Sequence, residues 1–323
     1  MSENRSYQEL WTLVQRAAVA WLDDYAPSMG AALSYYTLFS LAPLLLIVMS
    51  VAGLVFGAEA VRGEIFGQLQ GLMGHETASA VEGVLASVSK PAEGITATVI
   101  GIIIVLIGAT AVFGELQDAL DRIWRAPARD KTSGLMGLWW LLRTRLLSFG
   151  MILGIAFLLM VSLVMGALMA ALGKWWGGMF TGWAMVAETV NLLITFALTT
   201  TVFAMIYKMM PRARVQWQDV WLGALVTSLL FTIGKFLIGI YIGKSGIASG
   251  FGAAGSLIII LVWVYYSAQI FLIGAEFTWV YAHTFGSARD EPVADVDAAV
   301  APGGAIISRK TAPTAGKTVR SKK

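Results

Sequence analysis

The sequence predicts an all-α, polytopic membrane protein: a bundle of six transmembrane helices, with an N-terminal amphipathic interfacial helix and a short helical insertion on the outer side. Of the 323 residues, 57% are hydrophobic and 13% are charged, whereas soluble domains are roughly 45–50% apolar and about 25% charged. The mean hydropathy is +0.72. Because a chain of this length cannot hide so many apolar side chains in one water-soluble core, the composition excludes an ordinary soluble enzyme.

Stretches without charge define the membrane spans. Four stretches contain no Asp, Glu, Lys or Arg, namely residues 25–58, 94–114, 146–173 and 245–275. Each is long enough to cross about 30 Å of hydrocarbon as a helix. Two further stretches carry a single charge each, Glu188 and Lys235. The predicted spans cover residues 30–56, 94–114, 146–172, 183–207, 219–241 and 255–282.

The distribution of Lys and Arg predicts the orientation of the bundle. The termini and loops on one side carry eighteen of these residues, and the loops on the opposite side carry four. Because cytoplasmic loops are enriched in Lys and Arg, both termini are expected in the cytoplasm.

Three segments flank or interrupt the transmembrane domain, which is assigned to residues 28–285. In residues 1–27, apolar side chains recur at helical spacing between charges. This pattern predicts an amphipathic helix on the inner membrane surface or, alternatively, a helix packed against the cytoplasmic face of the bundle. Residues 59–93 predict two short helices on the outer side, with a break near Gly74. Residues 286–323 are rich in Ala, Pro and Gly, so a disordered basic cytoplasmic tail is expected.

Polar groups within the spans are the candidate functional residues, because each is costly in hydrocarbon. Glu188 and Lys235 lie at similar depth on consecutive antiparallel spans. We expect them to face the bundle interior as an ion pair or bridged by water, where they would bind a headgroup or an ion. The alternatives are that both side chains reach the nearby interface or form a purely structural pair.

Glu276 is the third candidate, near the cytoplasmic end of the sixth span. It is expected within reach of Arg122 or Arg125, and Gln269 lies about two turns earlier on the same face. An ion-pair network that only stabilises the inner rim is the alternative interpretation.

The first span carries a polar cluster shortly before Pro43, formed by Ser34, Tyr35 and Tyr36 with neighbouring hydroxyl residues. A proline inside a span frees a backbone carbonyl and often kinks the helix. Kinked polar helices line cavities in transporters, and they also occur as plain packing features.

The residue inventory argues against catalysis. The chain has no Cys and two His, so thiolate chemistry and Cys-ligated metals are excluded. The sequence has no GxSxG or HExxH motif, and its carboxylates are spread over both faces of the membrane. We therefore expect no enzyme activity, no catalytic residue, no metal site and no cofactor.

Four ordered segments also carry a resemblance to a known family. They are AALSYYTLFSLAPLLL at 31–46, ELQDALDRIW at 115–124, VQWQDVWLGALVTSLLFTIGKF at 215–236 and LIIILVWVYYSAQIFLIGAEF at 257–277. These segments resemble the YihY/BrkB family of bacterial inner-membrane proteins, over roughly residues 10–285. The resemblance implies a six-helix protein of the bacterial cytoplasmic (inner) membrane, in a group with some members linked to virulence and serum resistance. Members were long labelled ribonuclease BN, and the residues here give a nuclease no support.

The resemblance further implies transport or flipping of a lipid or another amphipathic envelope component. We therefore expect a transporter or flippase-like protein, and the alternative is a non-transporting, virulence-associated scaffold for envelope integrity. Membrane lipids are the expected partners, with a homo-oligomer or an envelope protein as alternatives, and no nucleic acid is expected. The positions that match the family pattern are Ser34, Tyr35, Tyr36, Pro43, Lys235, Tyr266, Gln269, Gly274 and Glu276, and physical reasoning adds Glu188.

Overall fold

The computed structural model describes residues 2–88, 112–126, 168, 183–213, 215–246, 250–251 and 254–289. The described segments are helices joined by turns, which confirms the all-α prediction for this part of the chain. The helices are α1 (Ser2–Asp23), α2 (Ala26–Phe56), α3 (Ala58–Met73), α4 (His75–Val88), α5 (residues 112–123), α6 (Trp183–Met209), α7 (Trp217–Lys244) and α8 (Gly255–Thr284).

Three of the described helices, α6, α7 and α8, are long and apolar enough to cross a membrane. They coincide with the last three predicted spans. The first predicted span, 30–56, falls within α2. The second and third, 94–114 and 146–172, lie outside the described residues apart from 112–114 and Leu168. Length and composition thus place α6, α7 and α8 in the membrane.

The N-terminal helix α1 packs against the bundle through a narrow face. Leu13 and Ala17 are buried in the main hydrophobic core, whereas Trp11 and Leu22 are exposed. A short turn then leads into α2 at Tyr25. One side of α1 therefore belongs to the core, while another presents large apolar side chains at the surface.

Helices α3 and α4 form a hairpin after the end of α2. Gly74, with a φ of 82°, separates them, at the position where a break between two short helices was predicted. An ion pair of 3.1 Å joins Arg62 Nη2 to Glu82 Oε1 across the hairpin. Val81 of α4 shares a second hydrophobic core with Ile260 of α8. The hairpin thus packs against the end of the bundle where α8 begins.

Glycine residues bring α7 and α8 into close contact. A Cβ added at Gly223 would overlap Thr278, and one added at Gly274 would overlap Thr227. A Cβ at Gly234 would likewise overlap side chains of α8. Such small residues let membrane helices approach each other closely and gain van der Waals contact, so side chains of each helix fill notches in the other.

The C-terminal end of α8 is fixed to the start of α7. Asp219 is buried in the first turn of α7, and its carboxylate accepts hydrogen bonds from the main-chain N–H and the hydroxyl of Ser287. A Cβ at Gly286 would overlap Asp219. Residues 286–289, which were assigned to the tail, therefore form a turn attached to the bundle, and the rest of the predicted tail lies outside the described residues.

Candidate functional site

A buried polar stripe runs along the face of α8 that meets α1 and α2. We use this name for Gln269 and Glu276 on α8 together with Asp24 in the α1–α2 turn. Gln269 and Glu276 are seven residues apart, so about 10 Å separates them along one face of the helix. Glu276 is fully buried, with 0% of its surface exposed. The sequence predicted that these two residues share a face, and the structure places them there.

Glu276 lies against Asp24. The two side chains are within hydrogen-bonding reach of each other. Among the residues that the structure describes, neither oxygen of Glu276 nor Oδ2 of Asp24 receives a hydrogen bond from an N–H or hydroxyl donor. Asp23 adds another negative charge nearby, and Arg125 adds a positive one. Buried acceptors without donors cost roughly 1–3 kcal/mol each, so the rest of the fold must hold this contact in place.

The end of α5 packs against the same site. The guanidinium carbon of Arg125 lies 4.2 Å from the ring centroid of Trp279, one turn after Glu276. The corresponding carbon of Arg122 lies 5.3 Å from the ring centroid of Tyr25. Cation–π contacts of this kind hold guanidinium groups beside aromatic rings. Of the two arginines expected near Glu276, the one that interacts with it is Arg125.

Two turns beside the stripe have left-handed backbone conformations. Tyr25, which follows Asp24, has a φ of 58°, and Arg125 has a φ of 48°. No other non-glycine residue in the described part of the chain has a positive φ. The left-handed conformation costs on the order of 1–2 kcal/mol for a residue with a side chain. Strain of this size persists where surrounding packing fixes the backbone, as it does here on both sides of Glu276.

An ion-pair network closes this end of the bundle. Arg212, in the α6–α7 loop, has its Nε 2.7 Å from Oδ2 of Asp121, and its main-chain N–H donates to Oδ1 at 2.7 Å. Its Nη2 lies 3.6 Å from Asp118. Burial raises the pKa of Glu115, one turn earlier on α5, and the negative charge of Asp118 raises it further. An ion-pair network at the inner rim was the alternative interpretation of Glu276 from the sequence. Such a network is present, but its central residue is Arg212.

Gln269 occupies a notch at Gly30 of α2. A Cβ at Gly30 would overlap the side-chain amide of Gln269. Within the described segments, neither atom of that amide has a hydrogen-bond partner. The amide therefore keeps its donor and acceptor capacity for a polar group or a water molecule.

Two other predicted residues of α8 lie on a different face. Gly274 packs against Thr227 and Tyr207, and Tyr266 packs against Gly234. Both therefore belong to the contact with α6 and α7 rather than to the polar stripe.

The predicted cluster on α2 is divided between the core and the surface. Ser34 is buried, and its hydroxyl donates to the main-chain oxygen of Ala31 at 2.8 Å. Tyr35 and Tyr36 are exposed, with their rings edge-to-face at 5.7 Å. Pro43 lies within α2, and its side chain is outside the described part of the structure.

The direct ion pair expected between Glu188 and Lys235 is not formed, since no salt bridge joins these two described side chains. Glu188 is exposed near the start of α6. Lys235 is half-buried on α7, with its Nζ 5.6 Å from the ring centroid of Phe236. Opposite charges at equal depth therefore do not meet here, because depth along a helix does not set the direction in which a side chain points.

Asp24 and Asp219 were missed by sequence reasoning. Both lie at helix ends, where acidic residues are ordinary, and each interacts with a partner far away in the chain, Glu276 for Asp24 and Ser287 for Asp219. No local pattern marks such positions. The described residues contain no group of three or more His, Asp or Glu arranged to hold a metal ion.

Comparison with known proteins places the chain in a family. A family model described as virulence factor BrkB matches residues 17–298. A UPF0761 membrane protein of Pseudomonas paraeruginosa is 28% identical over 261 residues, which are 79% of this chain and 59% of that protein. One of Alkalilimnicola ehrlichii is 30% identical over 257 residues, covering 78% of this chain and 54% of that protein.

A relative of nearly matching length is the UPF0761 membrane protein of Tolumonas auensis, 26% identical over 79% of this chain and 80% of that protein. The chain spans less than two thirds of the Pseudomonas and Alkalilimnicola relatives. No solved structure is significantly similar to it. Since the family match extends from α1 to beyond α8 and so includes the whole polar stripe, the chain is an integral membrane protein that belongs to the virulence factor BrkB family.

Proposed function

We propose that the protein is a transporter or flippase-like protein that moves a lipid or another amphipathic envelope component across the bacterial cytoplasmic membrane. The polar stripe is the observation that carries this proposal. Gln269 and Glu276 lie within a helix long and apolar enough to span the membrane. Among the described residues, the amide of Gln269 has no hydrogen-bond partner, and the oxygens of Glu276 receive no hydrogen bond from an N–H or hydroxyl group. Polar groups retained inside a span mark the paths of ions and substrates.

The position of the stripe suits a headgroup that enters between α2 and α8. Glu276 and Asp24 lie at one end of this interface, and Gln269 lies about 10 Å deeper. The exposed rings of Tyr35 and Phe39 line the outer surface of α2, where apolar chains can remain in contact with the protein while the headgroup meets the amide.

Movement of fluorescent lipid between leaflets of proteoliposomes tests this function. The substitution Gln269→Leu keeps the size of the side chain and removes its polar atoms, so lipid movement is expected to slow by about tenfold or more, equivalent to a barrier increase of about 1.4 kcal/mol. The matched control is Tyr265→Leu, because Tyr265 lies on α8 but is exposed. The control should move lipid at the wild-type rate.

Equal rates for Gln269→Leu and the wild type would remove the stripe from the path. A folded wild-type protein with no activity above empty liposomes would contradict lipid transport, and the scaffold function would then be preferred. Glu188→Ala and Lys235→Ala belong in the same series, because these residues lie on α6 and α7 away from the stripe. Loss of movement in either variant would extend the path to that side of the bundle.

We also propose that both termini face the cytoplasm. The chain has no Cys, so single cysteines report topology without background. Gln15→Cys on α1 and Ser79→Cys on α4 introduce thiols at exposed positions. In intact cells, a membrane-impermeant maleimide is expected to label Ser79→Cys and to leave Gln15→Cys unlabelled until the membrane is opened. The reverse pattern would invert the topology.

A further inference from the structure

We propose that Asp24 and Glu276 form a proton-binding site in which the two carboxyl groups share one proton. That this proton also drives transport rests on the proposed function. The binding site itself does not depend on it.

Hydrogen-bond chemistry is the first argument. An ionised carboxylate can only accept hydrogen bonds. Asp24 and Glu276 nevertheless lie within hydrogen-bonding reach of each other. A bond between them therefore requires a proton on one of the two groups.

Burial is the second argument. Glu276 is fully buried, and neither of its oxygens receives a hydrogen bond from an N–H or hydroxyl group of the described residues. A carboxylate that is both desolvated and without donors is strongly disfavoured. A shared proton supplies the missing donor and leaves one negative charge on the pair instead of two.

The surrounding charges are the third argument. Among the described residues, the charged groups that act on Glu276 are Asp23 and Asp24 from the end of α1 and its turn, and Arg125 from the end of α5. Arg122 lies over the ring of Tyr25, next to Asp24. Without a bound proton, an ionised Glu276 would face the negative charges of Asp24 and Asp23 and the single positive charge of Arg125.

The site also connects two parts of the fold. Asp24 belongs to the α1–α2 turn, and Glu276 belongs to α8. The shared proton therefore holds that turn against α8, and its release places two negative charges in contact. Proton loss should separate the turn from α8 and open the α2–α8 interface in which Gln269 lies.

Infrared spectroscopy of the full chain in lipid nanodiscs tests the site directly. A protonated carboxyl group has a C=O stretch that is distinct from the carboxylate bands and shifts in deuterated water. The wild type should show one such band at neutral pH, and raising the pH should remove it. Glu276→Gln and Asp24→Asn should each abolish the band, because each removes one member of the pair. Glu76→Gln on α4, an exposed position, should leave it unchanged.

Several results would overturn the proposal. A band that survives both substitutions belongs to another residue, and a band that Asp24→Asn leaves unaltered belongs to Glu276 alone. A band that sodium chloride suppresses, with potassium chloride as the control, would assign the site to sodium instead of a proton. Circular dichroism and size-exclusion chromatography show whether Glu276→Gln folds. If it does not, the infrared band of Asp24→Asn still tests the shared proton, because Asp24 lies in a turn and its replacement is better tolerated.

Lipid movement under an imposed pH gradient separates this inference from the proposed function. Stimulation by the gradient in the wild type, and its loss in Asp24→Asn, would support the shared proton as the driving ion. If the band behaves as expected but no variant moves lipid, the proton site stands and the transport function falls. If lipid moves while neither carboxyl holds a proton, the proton site falls alone.

Discussion

The hydroxyl of Tyr207 on α6 donates a hydrogen bond of 2.7 Å to the main-chain carbonyl oxygen of Phe271 on α8. The same hydroxyl lies 3.1 Å from the hydroxyl of Thr227 on α7. Tyr207 is completely buried. A single buried side chain therefore joins three helices, and polar groups that pair inside the bundle stabilise the packing of membrane helices.

Replacing this tyrosine tests that contribution. We expect Tyr207→Phe to lower the free energy of unfolding by about 1 kcal/mol, because the ring remains and only the hydroxyl is lost. Thermal unfolding in detergent should show a midpoint lower by about 2–4 °C. Tyr241→Phe, at an exposed position on α7, should leave the midpoint unchanged. An equal midpoint for Tyr207→Phe and the wild type would show that the hydroxyl adds no net stability.

A methyl group at Gly274 should disrupt the contact between α7 and α8. Gly274→Ala places a Cβ against Thr227 and Tyr207, and overpacking of this kind costs about 1–3 kcal/mol. Gly239→Ala is the matched control, because a Cβ at Gly239 would meet nothing within 4 Å. Alanine is the better helix former, so the control should match or exceed the wild-type melting temperature. Destabilisation of both variants would show that the loss comes from replacing a helical glycine in general, and not from the close contact of Gly274 with Thr227 and Tyr207.

Removal of the Asp219 carboxylate should release the turn after α8. Asp219→Ala leaves the main-chain N–H of Ser287 without its acceptor. We expect trypsin to cleave after Arg289 several times faster in this variant, because local unfolding exposes the bond to the protease. Mass spectrometry of the fragments identifies this site among other basic residues. Gln218→Ala, at the exposed neighbouring position, should be cleaved at the wild-type rate.

Two ion pairs of different exposure should contribute unequally to stability. The Arg212–Asp121 pair is largely buried, with side-chain exposures of 24% and 11%, whereas Arg62 and Glu82 are 51% and 40% exposed. Arg212→Gln should lower the free energy of unfolding by about 1–3 kcal/mol, since Asp121 loses its cationic partner. Arg62→Gln should change it by less than about 1 kcal/mol. Chemical denaturation of both variants gives the comparison, and equal effects would contradict it.

Glu115 should give the protein a pH dependence of stability. Burial and then Asp118 raise the pKa of Glu115 from the ordinary value of 4.5, so the folded state prefers the protonated form. Its stabilising contribution is therefore present at acid pH and is lost as the pH rises through the raised pKa. Glu115→Gln should gain stability over the wild type as the pH rises to neutral. Glu59→Gln, exposed on α3, should show no such trend in thermal midpoints.

The sequence was a good guide to the helices and a weaker one to the site. Long apolar stretches with at most one charge predicted the last three spans, because hydropathy along a helix is a local property. The break between α3 and α4 at Gly74 was also predicted from the sequence, since a glycine between two amphipathic segments favours a helix break. Gln269 and Glu276 were found because a spacing of seven residues returns to the same face of a helix.

Contacts between distant segments were not predictable in the same way. Asp24 reaches Glu276 only because the left-handed turn at Tyr25 positions α1 against α8. Lys235 was paired with Glu188 on equal depth alone, whereas the rotation of a helix about its axis is set by its neighbours, here by the fit of Gly234 against α8. The rotation of a helix about its axis therefore depends on the residues of both packed helices, which a pattern within one helix does not reveal.

The interlocked glycines of α7 and α8 constrain how the bundle can move. Gly223 and Gly234 both receive side chains from α8, and these two glycines, eleven positions apart, are about 16 Å from each other along the helix. Sliding of one helix past the other would drive side chains into backbone along that whole length. For the proposed transport cycle, we therefore expect α7 and α8 to move together as one rigid body. The displacement that exposes the stripe would then be a rocking of α1 and α2 about this body, and the two parts would separate at the notch formed by Gly30.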